Sequence, residues 1–240
     1  MISEEEIQKL TNKFQTSQIN VRREYFQHLF LSYFYQQPKA ANIFFKGGTA
    51  LRLLYQSPRF SEDLDFNSGL INYKEIEDLL QDTLVQIEKE NIIFSLKEAK
   101  QTSGGYLVII SFLAFEQPID IRLEISQRVG EKNGEVMGVT NSDYVPPYNI
   151  TAVTQKQLIT EKIEALLSRQ KPRDFYDLYF ILRAHMLPLE KIDILPKILK
   201  ILKESDINFE AELKQFLPKS QWLIIRDFKN SLEREINRVV

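Results

Sequence analysis

Cysteine is absent from the 240 residues, and histidine occurs only twice, as His28 and His185. The first absence excludes disulfides, thiolate metal sites and a cysteine nucleophile. The second leaves too few ligands for a histidine-rich zinc centre. No apolar run approaches the ~20 residues that a membrane span needs. The opening Met1-Ile2-Ser3 runs into Glu4, Glu5 and Glu6 and lacks the basic and apolar regions of a secretory signal. The expectation is a cytoplasmic protein with no membrane partner. A strong charge of one sign is missing too: the formal net charge is −2, so any nucleic-acid contact must rest on a local patch. Residues 151–203 hold ten Lys/Arg against six Asp/Glu, an excess that a solvated helical face explains most simply. What remains is globular material, 43% hydrophobic and 27% charged, enough for one large domain or two small ones.

Along the chain, Ser3 with Glu6 reads as a capping box opening a helix to Phe14. Apolar residues at helical spacing predict a buried helix over 19–36, with His28 packed inside it rather than ligating. The run Ile43-Phe44-Phe45 before Gly47-Gly48 predicts a buried strand feeding a helix over 49–55, and 62–66 predicts a second strand. Residues 73–90 carry Ile76, Leu79, Leu80, Leu84 and Ile87, an amphipathic helix. Strands are expected over 92–97, 106–115 and 119–126, the last two as an antiparallel hairpin. The Gly-, Asn- and Pro-rich stretch 130–148 reads as a loop or linker, with only helices after it: 154–170, then from Pro172 to about 184, 198–203, 209–216 and 221–239. This is an α+β front half, 1–148, and an all-helical rear half, 149–240.

The chemistry concentrates in 46–66, KGGTALRLLYQSPRFSEDLDF. Adjacent glycines at a helix start permit positive φ and close approach, and unpaired N–H groups there favour an anion such as phosphate. On a strand, Asp63 and Asp65 share one face, with Leu64 and Phe66 on the other. Two carboxylates together suit a hard cation such as Mg²⁺. On the strand over 119–126, Asp120, Arg122 and Glu124 share a face, so a third carboxylate can come from Asp120 or Glu124. Farther on, Lys162 reads by itself as a solvated lysine, and Asp174 as a helix-capping acid beside Arg173. Arg59 fits a phosphate contact, a lock on Asp63 or a structural salt bridge. Tyr55, Tyr176 and Tyr179 read more simply as core than as a base-stacking surface.

Taken in order, Lys46-Gly47-Gly48-Thr49-Ala50-Leu51-Arg52, Arg59 through Asp63-Leu64-Asp65-Phe66, Lys162 and Arg173-Asp174-Phe175-Tyr176-Asp177-Leu178 resemble the motifs of the AbiEii/AbiGii toxins, within the polymerase-β-type nucleotidyltransferases. The resemblance implies a nucleotidyltransferase-like mixed sheet with flanking helices, and a helical domain that completes an active-site cleft. It implies transfer of a nucleoside monophosphate from an NTP to an acceptor, with RNA and in particular a tRNA 3′ end foremost. The setting would be a toxin–antitoxin or phage-defence system with a cognate antitoxin. By the same resemblance Lys46, Gly47, Gly48, Thr49, Arg59 and Arg173 would bind the nucleotide, Asp63, Asp65 and Glu124 would ligate Mg²⁺, and Asp63, Asp65, Lys162 and Asp174 would be catalytic. Glu124 stands where the superfamily commonly has Asp. The competing expectations are a non-catalytic binding module on the same fold, or transfer to protein or a small molecule.

Overall fold

The computed structural model describes residues 1–69, 72–113, 117–127 and 134–240, and the chain divides into two compact units. The first comprises residues 1–56 and 60–154, and the second residues 57–59 and 155–240.

In the first unit, helix α1 (Glu4–Phe14) opens on the expected box: the Ser3 hydroxyl accepts from the Glu6 N–H, and the Glu6 carboxylate accepts from the Ser3 N–H. Ser3→Ala is expected to cost about 1 kcal/mol of stability, read by denaturant unfolding, because it leaves that helical N–H without its partner. Helix α2 (Gln18–Phe34) follows, then β1 (Ile43–Lys46), α3 (Gly47–Tyr55), β2 (Asp63–Ser68) and α4 (Tyr73–Lys89). The remaining strands are β3 (Phe94–Thr102), β4 (Gly105–Phe112), β5 (Ile119–Ser126), β6 (Gly134–Val139) and β7 (Tyr148–Val153). They form one mixed seven-stranded sheet ordered β3-β4-β5-β2-β1-β7-β6, in which β2 pairs β5 and β1 pairs β7 in parallel and all other neighbours are antiparallel. This is the expected α+β mixed sheet with flanking helices.

Period-two alternation gives the sheet its buried face. Cross-strand pairs Val108–Leu123, Ile110–Ile121 and Phe112–Ile119 place apolar side chains together, and α2 lays its aromatic residues over the sheet. Phe26 stacks on Phe112 at 4.3 Å between ring centroids, and Phe34 meets Phe66 at 5.7 Å. Leu64 and Phe66 point into this core, so Asp63 and Asp65 emerge on the opposite face.

Two strands correct the sequence expectation. Residues 134–139 form β6 and 148–153 form β7, where a linker and then only helices were expected. β6 lies at the sheet edge and is largely exposed, so no apolar alternation announces it. Gly134 belongs there because a Cβ would come within 2.3 Å of the Phe44 ring. The expected strand end at 114–115 and the start of the expected loop at 130–133 lie outside the described residues.

The second unit is helical: α5 (Gln155–Arg169), α6 (Pro172–Arg183), α7 (Leu195–Glu204), α8 (Phe209–Leu213), α9 (Trp222–Arg226) and α10 (Phe228–Val239). Pro172 occupies the first turn of α6, where its missing N–H costs nothing. Its core gathers Ile163, Leu166, Phe175, Tyr176, Leu232 and Ile236. Tyr176 is fully buried and stacks on Phe228 at 5.9 Å. Its role is packing. Among the described residues, no helix is long and apolar enough to cross a membrane.

Candidate active site

The residues that carry the motifs fall into two groups, one in each unit.

In the first unit, β1 ends at Lys46, whose extended backbone (φ −152°, ψ −163°) caps α3. Gly47 then adopts φ +82°, a left-handed value that favours glycine. Space demands glycine as well, since a Cβ would lie 2.1 Å from Asp65 Oδ2 and 2.8 Å from Asp65 Cβ. The start of α3 is thus held against the Asp65 carboxylate, at the end of the helix that favours negative charge. Gly47→Ala is expected to cost about 1–3 kcal/mol in denaturant unfolding, through backbone strain and displacement of Asp65; unchanged stability would refute the close approach. Thr49 is buried, and its hydroxyl donates to the Asp63 carbonyl at 2.5 Å, so this side chain ties the first turn of α3 to β2.

Further contacts fix the same elements. Gln27 donates to the carbonyls of Ser61 and Glu62 at 3.0 and 3.1 Å, holding the chain as it enters β2. Arg52 of α3 makes a two-pronged bond to the buried Glu24 carboxylate, both distances 2.9 Å, and its guanidinium lies 3.4 Å from the centroid of the Phe60 ring. Nearby, His28 is buried against Tyr148 Oη at 2.9 Å. Burial, assisted by the Arg52 charge, lowers its pKa to about 3, which makes it a neutral packed histidine, as its aromatic surroundings in the sequence suggest.

The register between β2 and β5 decides which carboxylates meet. Asp65 pairs with Glu124 and Asp63 with Arg122. Asp120 is bound instead by Lys97 at 2.8 Å. Asp63 and Asp65 are both half-buried. Burial, with the charges of Asp65, Glu62 and Glu124, pushes the Asp63 carboxyl up to about 6, against a smaller opposing pull from Arg122. A carboxylate crowded by like charge favours a cation. Arg122 was not singled out by the sequence reading, although alternation already placed it among the acids. Its guanidinium grips Glu124, with Nη2 at 2.6 Å and Nε at 2.7 Å. Among the described residues, no three His, Asp or Glu side chains gather closely enough to hold a metal. The donor set that does converge is the oxygen pair Asp63 and Asp65, which fits a cation that takes one or two protein carboxylates and completes its shell with water and phosphate.

In the second unit, Arg59 is 3% exposed and donates through Nε and Nη2 to the two oxygens of Asp177, at 2.7 and 2.9 Å. Lys162 Nζ reaches the same carboxylate at 2.8 Å. Burial alone would raise the Asp177 pKa, but Arg59 and Lys162 outweigh it and bring it down to about 2. Asp174 is 1% exposed and accepts from the Arg169 guanidinium at 2.6 Å and from the Lys171 N–H at 3.1 Å. It closes the first turn of α6. Arg173 pairs with Glu212 at 3.2 Å. Lys162 and Arg59 therefore share a carboxylate, and it is Asp177.

The comparisons with known proteins bear on these residues as a set. The profile of the family described as nucleotidyl transferase AbiEii toxin, type IV toxin–antitoxin system, matches residues 29–236, which span both groups. JHP933 from Helicobacter pylori has a similar structure, with a TM-score of 0.64 at 21% identity over 93% of each chain. So does MenT4, a nucleotidyltransferase toxin from Mycobacterium tuberculosis, with a TM-score of 0.63 at 14% identity over 100% of this chain and 93% of that one. At these identities the likeness is one of fold. No curated protein matches the sequence. With the family pattern covering most of its length, this chain belongs to the AbiEii family and is a nucleotidyltransferase toxin of the type IV toxin–antitoxin class.

Proposed function

We propose that the protein transfers a nucleoside monophosphate from an NTP to the 3′ end of an RNA, a tRNA foremost, in a Mg²⁺-dependent reaction of the nucleotidyltransferase class. The observation that carries this reading is the face shared by Asp63, Asp65 and Glu124 beside the Gly47 helix start. Asp63 and Asp65 would hold the cation, and Glu124 would join them as a third carboxylate only once released from Arg122. Bound Mg²⁺ would neutralise triphosphate charge and favour the ionised form of the attacking hydroxyl. The backbone at Gly47 and Gly48, with Lys46, would receive the triphosphate. The acceptor oxygen attacks the α-phosphorus, the bond to the β-phosphate breaks, pyrophosphate departs and the hydroxyl proton passes to solvent. Thr49 would hold β2 in place. Lys162 would offset phosphate charge, with Arg59 supporting it through Asp177. Arg173 would bind the nucleotide once released from Glu212, and Asp174 would contribute by organising α6.

Charge distribution supports an RNA acceptor. The second unit carries seventeen Lys/Arg against thirteen Asp/Glu, and the first fourteen against twenty, so the basic excess lies on the helical unit, where a nucleic-acid backbone would be favoured. Family membership implies an antitoxin. We place the activity in the cytoplasm, where NTP, Mg²⁺ and RNA meet, and in growth arrest of the kind that limits phage.

The test is incubation with total RNA, Mg²⁺ and each α-labelled NTP, beside Asp63→Ala and Asp65→Ala. Label is expected in RNA with the parent protein and not with either variant. The grip of Arg122 on Glu124 favours one competing reading, a nucleotide-binding module without turnover. Absence of label in any acceptor would support it, whereas label in protein or a small molecule would keep the chemistry and change the acceptor. Induced expression should slow growth, and Asp65→Ala should relieve it.

A further inference from the structure

The register that sets Arg122 opposite Asp63 also sets Glu124 opposite Asp65, so an arginine and a candidate cation ligand stand side by side on β5. The bond between them is of an exchangeable kind. Nε and Nη2 of Arg122 both fall on one oxygen, Oε1 of Glu124, at 2.7 and 2.6 Å, and the two side chains are 47% and 50% exposed. Arg52 shows the contrast within the same unit: it spreads its fork over both oxygens of Glu24, with side chains 12% and 8% exposed. A buried fork is costly to open, whereas an exposed pair contributes little. Position adds to this. In the sheet β2 lies between β1 and β5, so the start of α3, which follows β1 and is fitted to Asp65, is on one side of the carboxylate pair and Arg122 is on the other. In-line displacement brings the attacking oxygen to the α-phosphorus from the side opposite the departing pyrophosphate. With the triphosphate at Gly47, the acceptor enters over β5.

We propose that Arg122 is a ligand for a backbone phosphate of the acceptor, and that loading of the cation uncovers it by drawing Glu124 away. The proposal rests on the reading of Asp63, Asp65 and Glu124 as the cation's carboxylates. Glu124 has two available counter-charges, Arg122 and a divalent ion. While it holds Arg122, the anion-binding edge of the guanidinium is occupied. Once it turns to the ion, a planar fork suited to phosphate is released on the acceptor side. Cation and RNA then favour one another by the same factor, as linkage requires. The acceptor is held best where the ion needed for its attack is already in place.

Mn²⁺ in place of Mg²⁺ lets binding be read by paramagnetic resonance without turnover, on the whole chain. Arg122→Gln is expected to tighten Mn²⁺ about fivefold, because Glu124 no longer has a partner to leave, and Glu124→Gln to weaken it. In a Glu124→Gln background the same arginine substitution should change Mn²⁺ affinity by less than about twofold. A short single-stranded RNA should bind the parent about fivefold more tightly with Mn²⁺ than without it, and Arg122→Gln should lose most of that gain. In label transfer, Arg122→Gln should raise KM for RNA about tenfold and leave KM for NTP within about twofold. A rise in KM for NTP instead assigns Arg122 to the triphosphate and overturns the acceptor role. Mn²⁺ tightening that is as large without Glu124 comes from lost positive charge alone and overturns the exchange. If Arg122→Gln changes neither Mn²⁺ nor RNA affinity, the pair is a surface ion pair and both parts are overturned. If Asp63→Ala and Asp65→Ala bind Mn²⁺ as the parent does, the reading of the cation site falls, and the proposal with it.

Discussion

Asp65→Ala, assayed for label transfer from α-labelled NTP, is expected to lose about a thousandfold or more, since several kcal/mol of charge stabilisation correspond to about three powers of ten in rate. The same loss is expected for Asp63→Ala. The two differ in what else they disturb. Asp65 is the side chain against which Gly47 is fitted, so its removal leaves a gap at the start of α3. Asp63 is crowded by Asp65, Glu62 and Glu124 and is half-buried. Asp63→Asn, which keeps the shape and removes the charge, should therefore be inactive and yet more stable than the parent by about 1 kcal/mol at neutral pH, measured by denaturant unfolding. Gain of stability with loss of transfer marks a residue kept for chemistry. A destabilised Asp63→Asn protein would show that the crowding is relieved by contacts other than a bound cation.

Asp177→Ala is expected to cost about 3–5 kcal/mol of stability, because it leaves Arg59 and Lys162 as uncompensated buried charges. A smaller contribution of the same residue can be isolated by acid. Its folded pKa, about 2, lies below the ordinary carboxylate value of 3.8, so the folded state binds its proton more weakly than the unfolded chain does. Stability from this group is complete above about pH 4, declines as the pH falls through the interval and is gone below about 2, amounting to roughly 2 kcal/mol in all. The Arg59→Gln/Asp177→Asn protein should lack that part of the acid dependence. Equal acid sensitivity in both proteins would show that the buried ion pair does not govern it.

The distribution of what could be read from the sequence has a physical basis. Asp63 and Asp65 were legible because alternation is local: two positions along a strand always return a side chain to the same face. Alternation alone left Glu124 and Asp120 both open, and only the resemblance favoured Glu124, since which of them stands beside Asp65 depends on the β2–β5 register, a non-local pairing. β6 and β7 were missed because β6 is exposed and contains two glycines, while β7 takes its place from β1, over a hundred residues earlier. Gly47 was legible as a turn glycine, but not as a residue fitted to Asp65. Asp174 and Asp177 stand three apart on α6, a spacing that puts them on one face. Burial gives them separate partners, and only the fold shows that Lys162 belongs to the second.

The wide spacing of these pairings sets an order of assembly during synthesis. Residues 46–66 emerge from the ribosome early, but Asp65 has no Glu124 beside it until β5 has been made, and β1 lacks its parallel neighbour until residue 153. Arg59 waits longer, for a carboxylate 118 residues downstream. Contacts closing over such distances form late. A nascent chain therefore lacks these pairings for most of its translation, and the carboxylate face of the sheet and the Arg59–Asp177 ion pair form only as the polypeptide nears completion.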